Sequence, residues 1–278
     1  MNSDSKKQQT AIIVAPNGAR KSYDDHPALP ITNQEIIAEV IACRDAGAAM
    51  VHLHARNKQG QHSLEIDDNI TLYQSLKEQV GDSIVIQLTT EAVGIYQPEQ
   101  QMALIKEAQP EAASFALSEL IPNEQSVNIA TEFFHWVAEK QIIAQYILYS
   151  FDDLQRYFSL LQQGVLPDNN HHILLVLGRY SKDQVSTPQD LAPFLQPHLL
   201  QNPHRWAVCA FGQHEHRCLT SAMLMGGDVR VGFENNHLNL HGTMAKNNAA
   251  QVTQLISTAK ELNIGITNAR DFRESLTS

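Results

Sequence analysis

The chain has 278 residues, 43% of them hydrophobic, which allows one large domain or two small ones around a substantial core. Its formal net charge is −10 and its sequence pI is about 5.7, so nucleic acid and anionic membranes are poor candidates for its main partner. No uninterrupted apolar run approaches the ~20 residues that a membrane span requires, so we expect no membrane partner either.

Cysteine usage and the N-terminal segment point to a reduced, cytoplasmic protein. The three cysteines, at positions 43, 209 and 218, are odd in number and show no paired spacing, which predicts free thiols. Residues 1–10 are polar and contain no apolar segment typical of a signal peptide. We expect these ten residues to be disordered and residues 11–278 to form the folded domain.

The first elements alternate between strand and helix. Residues 11–15 form an apolar run that predicts a buried strand, which Pro16-Asn17-Gly18 ends. Thr32 and Glu35 form a capping box, so a helix should begin near residue 33. Gly47 should end this helix, and a second apolar run then leads into Val51-His52-Leu53-His54.

The same alternation continues to the end of the chain. Further strands are predicted at residues 84–88, 112–117, 142–149, 173–177, 206–210 and 229–233. Helical patterns occupy residues 70–76, 98–108, 123–140, 151–163, 187–200, 215–225 and 244–262, the last of which should be the final helix. The helix at 187–200 contains three prolines and should be short or broken.

Eight strand–helix units of ~30 residues each predict a parallel sheet covered by helices. Eight units in ~270 residues fit a single-domain (β/α)₈ TIM barrel. A doubly wound open sheet is the alternative, but Gly18 stands alone after the first strand and no Gly-x-Gly-x-x-Gly turn is present. No composition shift or flexible linker marks a second domain.

His52 and His54 are two residues apart at the end of a predicted strand, so both side chains point to the same face. Neutral imidazole is the commonest metal ligand. Glu234 follows the eighth strand, and in a closed barrel the second and eighth strands both flank the first. Two imidazoles and one carboxylate would then have the composition of a catalytic zinc site. The alternative is that the two histidines have unrelated roles, one packed and one solvated, and that the glutamate is solvated or caps a helix.

Several segments of the chain resemble the β-keto acid cleavage enzymes, of which 3-keto-5-aminohexanoate cleavage enzyme is the best-known type. The matching segments are residues 19–32, 47–56, 87–94, 206–212 and 229–236, and their order and spacing agree along nearly the whole chain. The strongest motifs are His52-Leu53-His54-Ala55-Arg56 and Arg230-Val231-Gly232-Phe233-Glu234.

The resemblance implies a TIM barrel that assembles as a homotetramer. It also implies a reaction in which a β-keto acid and acetyl-CoA, as co-substrate, give acetoacetate and a new acyl-CoA. His52, His54 and Glu234 would be the ligands of a divalent metal, expected to be zinc. The metal would bind the keto oxygen and the carboxylate of the substrate and stabilise the enolate formed from it.

By the same resemblance, other residues have expected roles around the substrate. Arg230 matches the family arginine that supports the reacting carboxylate and its charge. Thr89 and Ser114 stand at positions where the family carries hydroxyl residues near the substrate, although Thr89 replaces a serine of the type enzyme.

One departure from the family concerns the general base. The best-studied member has an aspartate directly after the metal-binding glutamate, where this chain has Asn235. A neutral amide cannot accept the proton in that way, so we expect Asn235 to bind substrate instead. Glu91, after the third strand, is our first candidate for the catalytic base; Asp152 and Glu215 are the others. Water or the substrate itself could also take the proton, or the reaction could differ.

A second departure concerns the substrate. The type enzyme carries a glutamate where this chain has Arg20, and that glutamate is taken to meet the amino group of the substrate. Arginine is suited to carboxylate recognition, so we expect a β-keto acid with a distal acidic group. Alternatively, Arg20 binds a CoA phosphate or faces solvent.

Two other functions stay open at this point. One is a metal-dependent carbon–carbon lyase or aldolase that does not use CoA. The other is a metal-binding homologue without activity, which the loss of the aspartate at position 235 would favour.

Overall fold

Eight parallel strands form a closed barrel in chain order in the computed structural model, which describes residues 9–201 and 203–277. β1 pairs with both β2 and β8, as expected for closure. The strands are β1 (Ile12–Val14), β2 (Met50–Leu53), β3 (Val85–Leu88), β4 (Ala112–Ala116), β5 (Ile143–Leu148), β6 (His171–Leu177), β7 (Arg205–Ala210) and β8 (Asp228–Val231). The predicted (β/α)₈ barrel is confirmed.

Helices cover the outside of the barrel. They are α1 (Asn33–Asp45), α2 (Ile66–Val80), α3 (Pro98–Ala108), α4 (Leu117–Leu120), α5 (Val127–Glu139), α6 (Phe151–Gln162), α7 (Pro197–Leu200), α8 (Glu215–Leu224), α9 (Asn248–Glu261) and α10 (Ala269–Thr277). Short 3₁₀ segments lie at Glu124–Ser126, Lys182–Gln184 and Pro188–Phe194. The predicted capping box is present, because Thr32 accepts from the Glu35 amide and the Glu35 carboxylate accepts from the Thr32 amide.

The strands are apolar on both faces because each face packs against a different layer. On β1, Ile12 and Val14 belong to the core between barrel and helices, whereas Ile13 belongs to the core inside the barrel. Alternation with period two therefore divides one apolar run between two cores. This is why the strands appear in the sequence as continuous apolar runs.

The N-terminal segment predicted to be disordered falls largely outside the described residues, which begin at Gln9. Thr10 is buried and pairs with Ile266.

The proline-rich segment confirms the prediction of a short or broken helix. Residues 187–200 form a 3₁₀ segment with Pro193 inside it, followed by the four-residue helix α7. A proline in a helix interior removes a backbone hydrogen bond and clashes with the preceding turn, so the segment does not continue as one α-helix.

The prediction that residues 244–262 form the last helix is wrong in two respects. α9 begins only at Asn248, after Met244 has paired with Leu238 in the preceding loop. α10 then follows, and its buried residues Phe272 and Leu276 contribute to the core inside the barrel. This polar helix has too few apolar residues to be recognised from its pattern, and it packs through that narrow face alone.

Two further observations concern cysteines and membrane association. All three cysteines are buried free thiols. Within the described ranges, none of the helices has the length and apolar character required to cross a bilayer.

Candidate active site

His52 and His54 come from the carboxyl end of β2, and Glu234 follows the end of β8. Both strands are hydrogen-bonded to β1, so the three side chains meet above it. The His52 and His54 Nε2 atoms are 3.1 Å apart, and Glu234 Oε2 lies 3.2 Å from His54 Nε2 and 3.6 Å from His52 Nε2. The structure thus brings together the three residues that the sequence analysis selected as metal ligands.

A hydrogen bond on the far side of each imidazole orients it. His52 Nδ1 lies 2.7 Å from Gln87 Oε1, and His54 Nδ1 lies 3.4 Å from His62 Nδ1. Burial lowers the pKa of His52 and His62 to about 4, so both rings are neutral at pH 7. Burial also holds the pKa of His54 well below its usual value. Neutral imidazoles are the form that binds metals.

Glu234 is ionised although it is nearly buried. Burial opposes ionisation, but the Arg230 guanidinium holds the pKa of Glu234 well below its usual range. Arg230 Nη2 donates to Glu234 Oε1 at 2.7 Å. The other oxygen, Oε2, is buried and receives no hydrogen bond from the described residues. A buried carboxylate oxygen without a donor, directed at two imidazole nitrogens, is suited to a cation.

The geometry of this cluster fits zinc. Two ligands about 2.0–2.1 Å from a tetrahedral zinc lie about 3.3 Å apart, and the three observed separations fall between 3.1 and 3.6 Å. Two imidazoles and a carboxylate are also a common donor set for catalytic zinc, which leaves one position for substrate. His52, His54 and Glu234 could therefore hold such an ion.

A cavity of about 610 Å³, including the part open to solvent, adjoins this cluster at the carboxyl ends of the strands. Four cationic and three anionic side chains line it: Arg20, Lys21, Arg179, Arg230, Glu91, Glu119 and Glu234. Apolar and aromatic residues complete the wall, including Ile147, Tyr149, Val176 and Phe211. Such a cavity has apolar walls for a carbon chain and charged groups to recognise its polar ends.

Glu91 is the candidate base that lies in this cavity. Its Oε2 is 3.9 Å from His54 Nε2, and its Oε1 accepts from Arg179 Nη2 at 3.3 Å. Burial and the negative charge of Glu234 raise the pKa of Glu91 to about 7. Thr89 also lines the cavity, and its Oγ1 accepts from the Glu91 amide at 3.0 Å. Thr89 therefore holds the turn that carries Glu91.

The other two candidate bases lie elsewhere. Asp152 is exposed in the first turn of α6. Glu215 is buried at the start of α8, where it accepts from the Gly232 amide and from Asn236 Nδ2. Neither is among the residues that line the cavity.

The residues expected to contact substrate are divided between the cavity and its surroundings. Arg20 lines the cavity and is exposed, and its side chain makes no hydrogen bond or ion pair with the described part of the chain. Ser114 and Asn235 are buried but are not among the lining residues. The Ser114 hydroxyl and both polar atoms of the Asn235 amide lack hydrogen-bond partners within the ranges described.

Sequence reasoning missed several residues of the site. Tyr149 follows β5, and Arg179 follows β6 after Gly178, so in a predicted barrel their position at the carboxyl end of a strand was a usable signal. Gln87 is the polar residue in an otherwise apolar strand, which also signals a buried role. His62 lies in a loop of polar composition, and no sequence pattern distinguishes it.

Arg56 connects the His-x-His motif to the loop between β1 and α1. Its guanidinium donates to the Ala19 carbonyl at 3.1 Å, to the Lys21 carbonyl at 3.4 Å and, more closely, to the Gly18 carbonyl. This loop carries Arg20 into the cavity. Among the described residues, the hydrogen bonds of the Arg56 side chain go to the carbonyls of this loop, so the arginine of the motif acts on loop position.

A (β/α)₈ barrel with two imidazoles, an ionised carboxylate and a charged cavity at the carboxyl ends of its strands belongs to the class of barrel enzymes. The particular family follows from comparison with known proteins. The chain belongs to the beta-keto acid cleavage enzyme family, whose model matches residues 9–277. The resemblance seen in the sequence is thereby confirmed.

Characterised relatives extend over almost the whole chain. The 3-keto-5-aminohexanoate cleavage enzyme of Acetoanaerobium sticklandii is 26% identical over 279 residues, which cover 97% of this chain and 98% of the relative. The 3-oxoadipate:acetyl-CoA acetyltransferase of Cupriavidus necator is 26% identical over 259 residues, covering 91% and 89%. Among solved structures, apo ObcA shares the fold with a TM-score of 0.71 at 16% identity; the match covers 90% of this chain and 65% of ObcA.

Proposed function

We propose that this protein converts a β-keto acid and acetyl-CoA into acetoacetate and a new acyl-CoA at a zinc ion held by His52, His54 and Glu234. Family membership and the two relatives' names support the reaction. The observation that carries the site is the convergence of three ligand atoms beside a cavity that also contains Glu91. When bound, zinc would supply a Lewis acid that polarises substrate oxygens.

Glu91 is the general base in this proposal. It takes the proton from the carbon between the two carbonyls of the substrate, and the carbanion attacks the acetyl-CoA thioester, from which CoA leaves as the thiolate. The thiolate then attacks the original keto carbon, and carbon–carbon cleavage gives the new acyl-CoA and the carbanion of acetoacetate. This carbanion takes the proton back from Glu91, which restores the base and releases acetoacetate. A carboxyl group whose pKa lies near 7 suits proton abstraction at neutral pH. Arg230 keeps Glu234 ionised and oriented throughout.

The substrate carries a distal acidic group, which Arg20 binds. An unpaired guanidinium in a cavity wall favours a carboxylate, with which it can form two parallel hydrogen bonds. One relative is named for 3-oxoadipate, a substrate of this charge type. Replacing Arg20 by Glu should raise kcat/KM for cationic relative to anionic β-keto acids; an unchanged ratio would exclude Arg20 from substrate selection.

A panel of β-keto acids with acetyl-CoA, scored for acetoacetate, tests the reaction. Turnover should require acetyl-CoA and yield one acyl-CoA per acetoacetate. Cleavage without acetyl-CoA would instead indicate a lyase or aldolase, and zinc binding without any turnover would indicate an inactive homologue.

Metal analysis of the His52→Ala variant tests whether zinc binds at the proposed site. Bound zinc should fall from about one per chain to near zero, because two ligands cannot replace the three that a catalytic site normally uses. His198→Asn, which removes an exposed imidazole on α7, is the control and should keep its zinc. Zinc retained by His52→Ala would place the ion elsewhere.

The proposal also includes an oligomeric state and a cellular location. The family resemblance supports a homotetramer, which light scattering on the purified protein tests. The free thiols support a cytoplasmic location, which fractionation of the source cells tests.

A further inference from the structure

A chain of hydrogen bonds leads from a backbone carbonyl to His54. The carbonyl oxygen of Glu91 lies 2.8 Å from His62 Nε2, and His62 Nδ1 lies 3.4 Å from His54 Nδ1. His54 Nε2 then faces Glu234 Oε2 at 3.2 Å. Each group in this series contacts the next through one atom. The position of the hydrogen on the first imidazole therefore fixes the position of the hydrogen on the second.

The direction of every hydrogen bond follows from the carbonyl group. A carbonyl oxygen only accepts, so His62 Nε2 must carry the hydrogen. A neutral imidazole has one N–H, which leaves His62 Nδ1 as an acceptor. His54 Nδ1 must therefore donate to it. The lone pair of His54 is then at Nε2, the atom directed at Glu234 and His52.

We propose that His62 is a positioning residue that fixes the tautomer of His54 so that Nε2 is free to bind a cation. The other tautomer would place a hydrogen between His54 and Glu234, where the metal ligands converge. The inference rests on the metal site proposed above. His62 itself does not touch the ion; it acts through His54, as hydrogen-bonded partners of metal-binding histidines generally do.

The fold builds this contact locally. After His54 the chain turns back, and Arg56 pairs with His62 as an antiparallel bridge. The bend runs through Gly60, whose φ of +75° favours glycine, and the Gly60 amide donates to the Asn57 carbonyl. This small hairpin returns the His62 ring to within 5.1 Å of the His54 ring, measured between centroids. His62 is 8% exposed, so water has little access to the contact.

The first experiment measures the tautomers in the wild-type protein without metal. Long-range ¹H–¹⁵N correlation of imidazole nitrogens distinguishes an N–H nitrogen from one with a free lone pair. We expect the hydrogen of His54 on Nδ1 and the hydrogen of His62 on Nε2. A hydrogen on His54 Nε2 in the wild-type protein would overturn the inference.

The second experiment compares zinc affinity in two His62 variants by competition with a chromophoric chelator. His62→Phe keeps the ring volume but removes the acceptor, and zinc affinity should fall about 10–100-fold, the usual effect of losing such a partner. His62→Asn keeps an oxygen acceptor near the position of Nδ1, and its affinity should stay within about threefold of wild type. Wild-type-like zinc affinity in His62→Asn would show that the loss in His62→Phe comes from the missing hydrogen bond and not from altered packing.

Controls keep the outcomes distinct. His171→Asn removes a buried imidazole that pairs with Tyr157 on the β5–β6 side of the barrel, and it should leave zinc affinity unchanged. Wild-type affinity in His62→Phe would overturn the inference, as would equal losses in both His62 variants. If the wild-type protein binds no zinc, the proposed metal site fails, while the tautomer measurement still decides the role of His62.

Discussion

At the scale of single residues, the groups around Glu91 have opposing effects on the protonation of its side chain. Burial and Glu234 favour its neutral form, whereas Arg179, at 3.3 Å, favours the carboxylate. The backbone around it has a separate function, because the Glu91 carbonyl accepts from His62 and its amide donates to Thr89. One residue therefore contributes a titratable group to the cavity and a fixed acceptor to the histidine chain. Substituting its side chain leaves the second contribution in place.

Glu91→Gln should lower kcat about 10²–10⁴-fold, the usual contribution of a positioned base, because an amide cannot accept the proton. Zinc content should stay at the wild-type level, since the Glu91 carbonyl still orients His62. Steady-state acetoacetate formation and metal analysis on one preparation measure both. Asp152→Asn, which alters the exposed candidate base, should keep kcat within about threefold of wild type. A Glu91→Gln enzyme with wild-type kcat would require another base.

At the scale of elements, the loop between β1 and α1 is held from two sides. Arg56 donates to its carbonyls, and Gly18 lies against Glu234, where an added Cβ would come within 2.6 Å of the Glu234 Cγ. Gly18 also has φ of +61°, so a side chain there would be unfavourable for the backbone as well. The loop that carries Arg20 thus packs closely against Glu234.

Arg56→Lys should raise KM for an anionic β-keto acid about tenfold. Lysine keeps the charge but lacks the planar guanidinium, so it can hold far fewer of the loop carbonyls and Arg20 loses its fixed position. Steady-state kinetics with the best anionic substrate of the panel gives the value. Arg44→Lys, on the outer surface of α1, is the matched control and should leave KM unchanged. An unchanged KM in Arg56→Lys would show that the loop keeps its position without the guanidinium.

Element patterns in the sequence were sufficient for the barrel. Period-two and 3.6-residue repeats report burial, and closure of the barrel then predicts that Glu234 lies near His52. The choice of Glu234 as a metal ligand, over a solvated or helix-capping glutamate, depended on the family resemblance. The contacts of His62 could not be predicted, because they depend on how the loop after β2 returns over the strand ends. Gln87, in contrast, lies opposite His52 in the register of β2 and β3. α10 was missed for a related reason: its apolar residues Phe272 and Leu276 acquire a partner only once the barrel exists.

At the scale of the whole molecule, the two ends of the barrel differ in structure and in function. The carboxyl end holds the cavity, whereas the amino end is closed by α10 and a buried polar network. There Asp228 accepts from the Ala11 amide, from Arg205 and from His172 Nε2. These bonds join strands from both halves of the chain, so this end contributes stability and not chemistry. Loops at the other end can then vary without loss of the fold.

Buried histidines make the stability of the folded protein sensitive to acid. Burial, together with the nearby His204, lowers the pKa of His171 to about 3 from the value of about 6.5 expected when unfolded. Between these pH values the unfolded state binds more protons, so stability falls as the pH falls below about 6.5. Asp228 acts in the same direction at lower pH, because hydrogen bonds and Arg205 outweigh burial and keep its pKa below the usual value.

His171→Asn should therefore reduce the loss of stability on acidification. Asparagine does not titrate and can still accept from the Tyr157 hydroxyl, which lies 2.8 Å from His171 Nδ1. At pH 5 the wild-type penalty from this residue is about 2 kcal/mol, at 1.36 kcal/mol per pH unit below 6.5. Urea unfolding at pH 7.5 and pH 5.0 should show a free-energy difference smaller by about that amount in the variant than in wild type. His198→Asn, an exposed position, should show the wild-type difference; the same value in His171→Asn would mean that the buried imidazole does not drive the acid sensitivity.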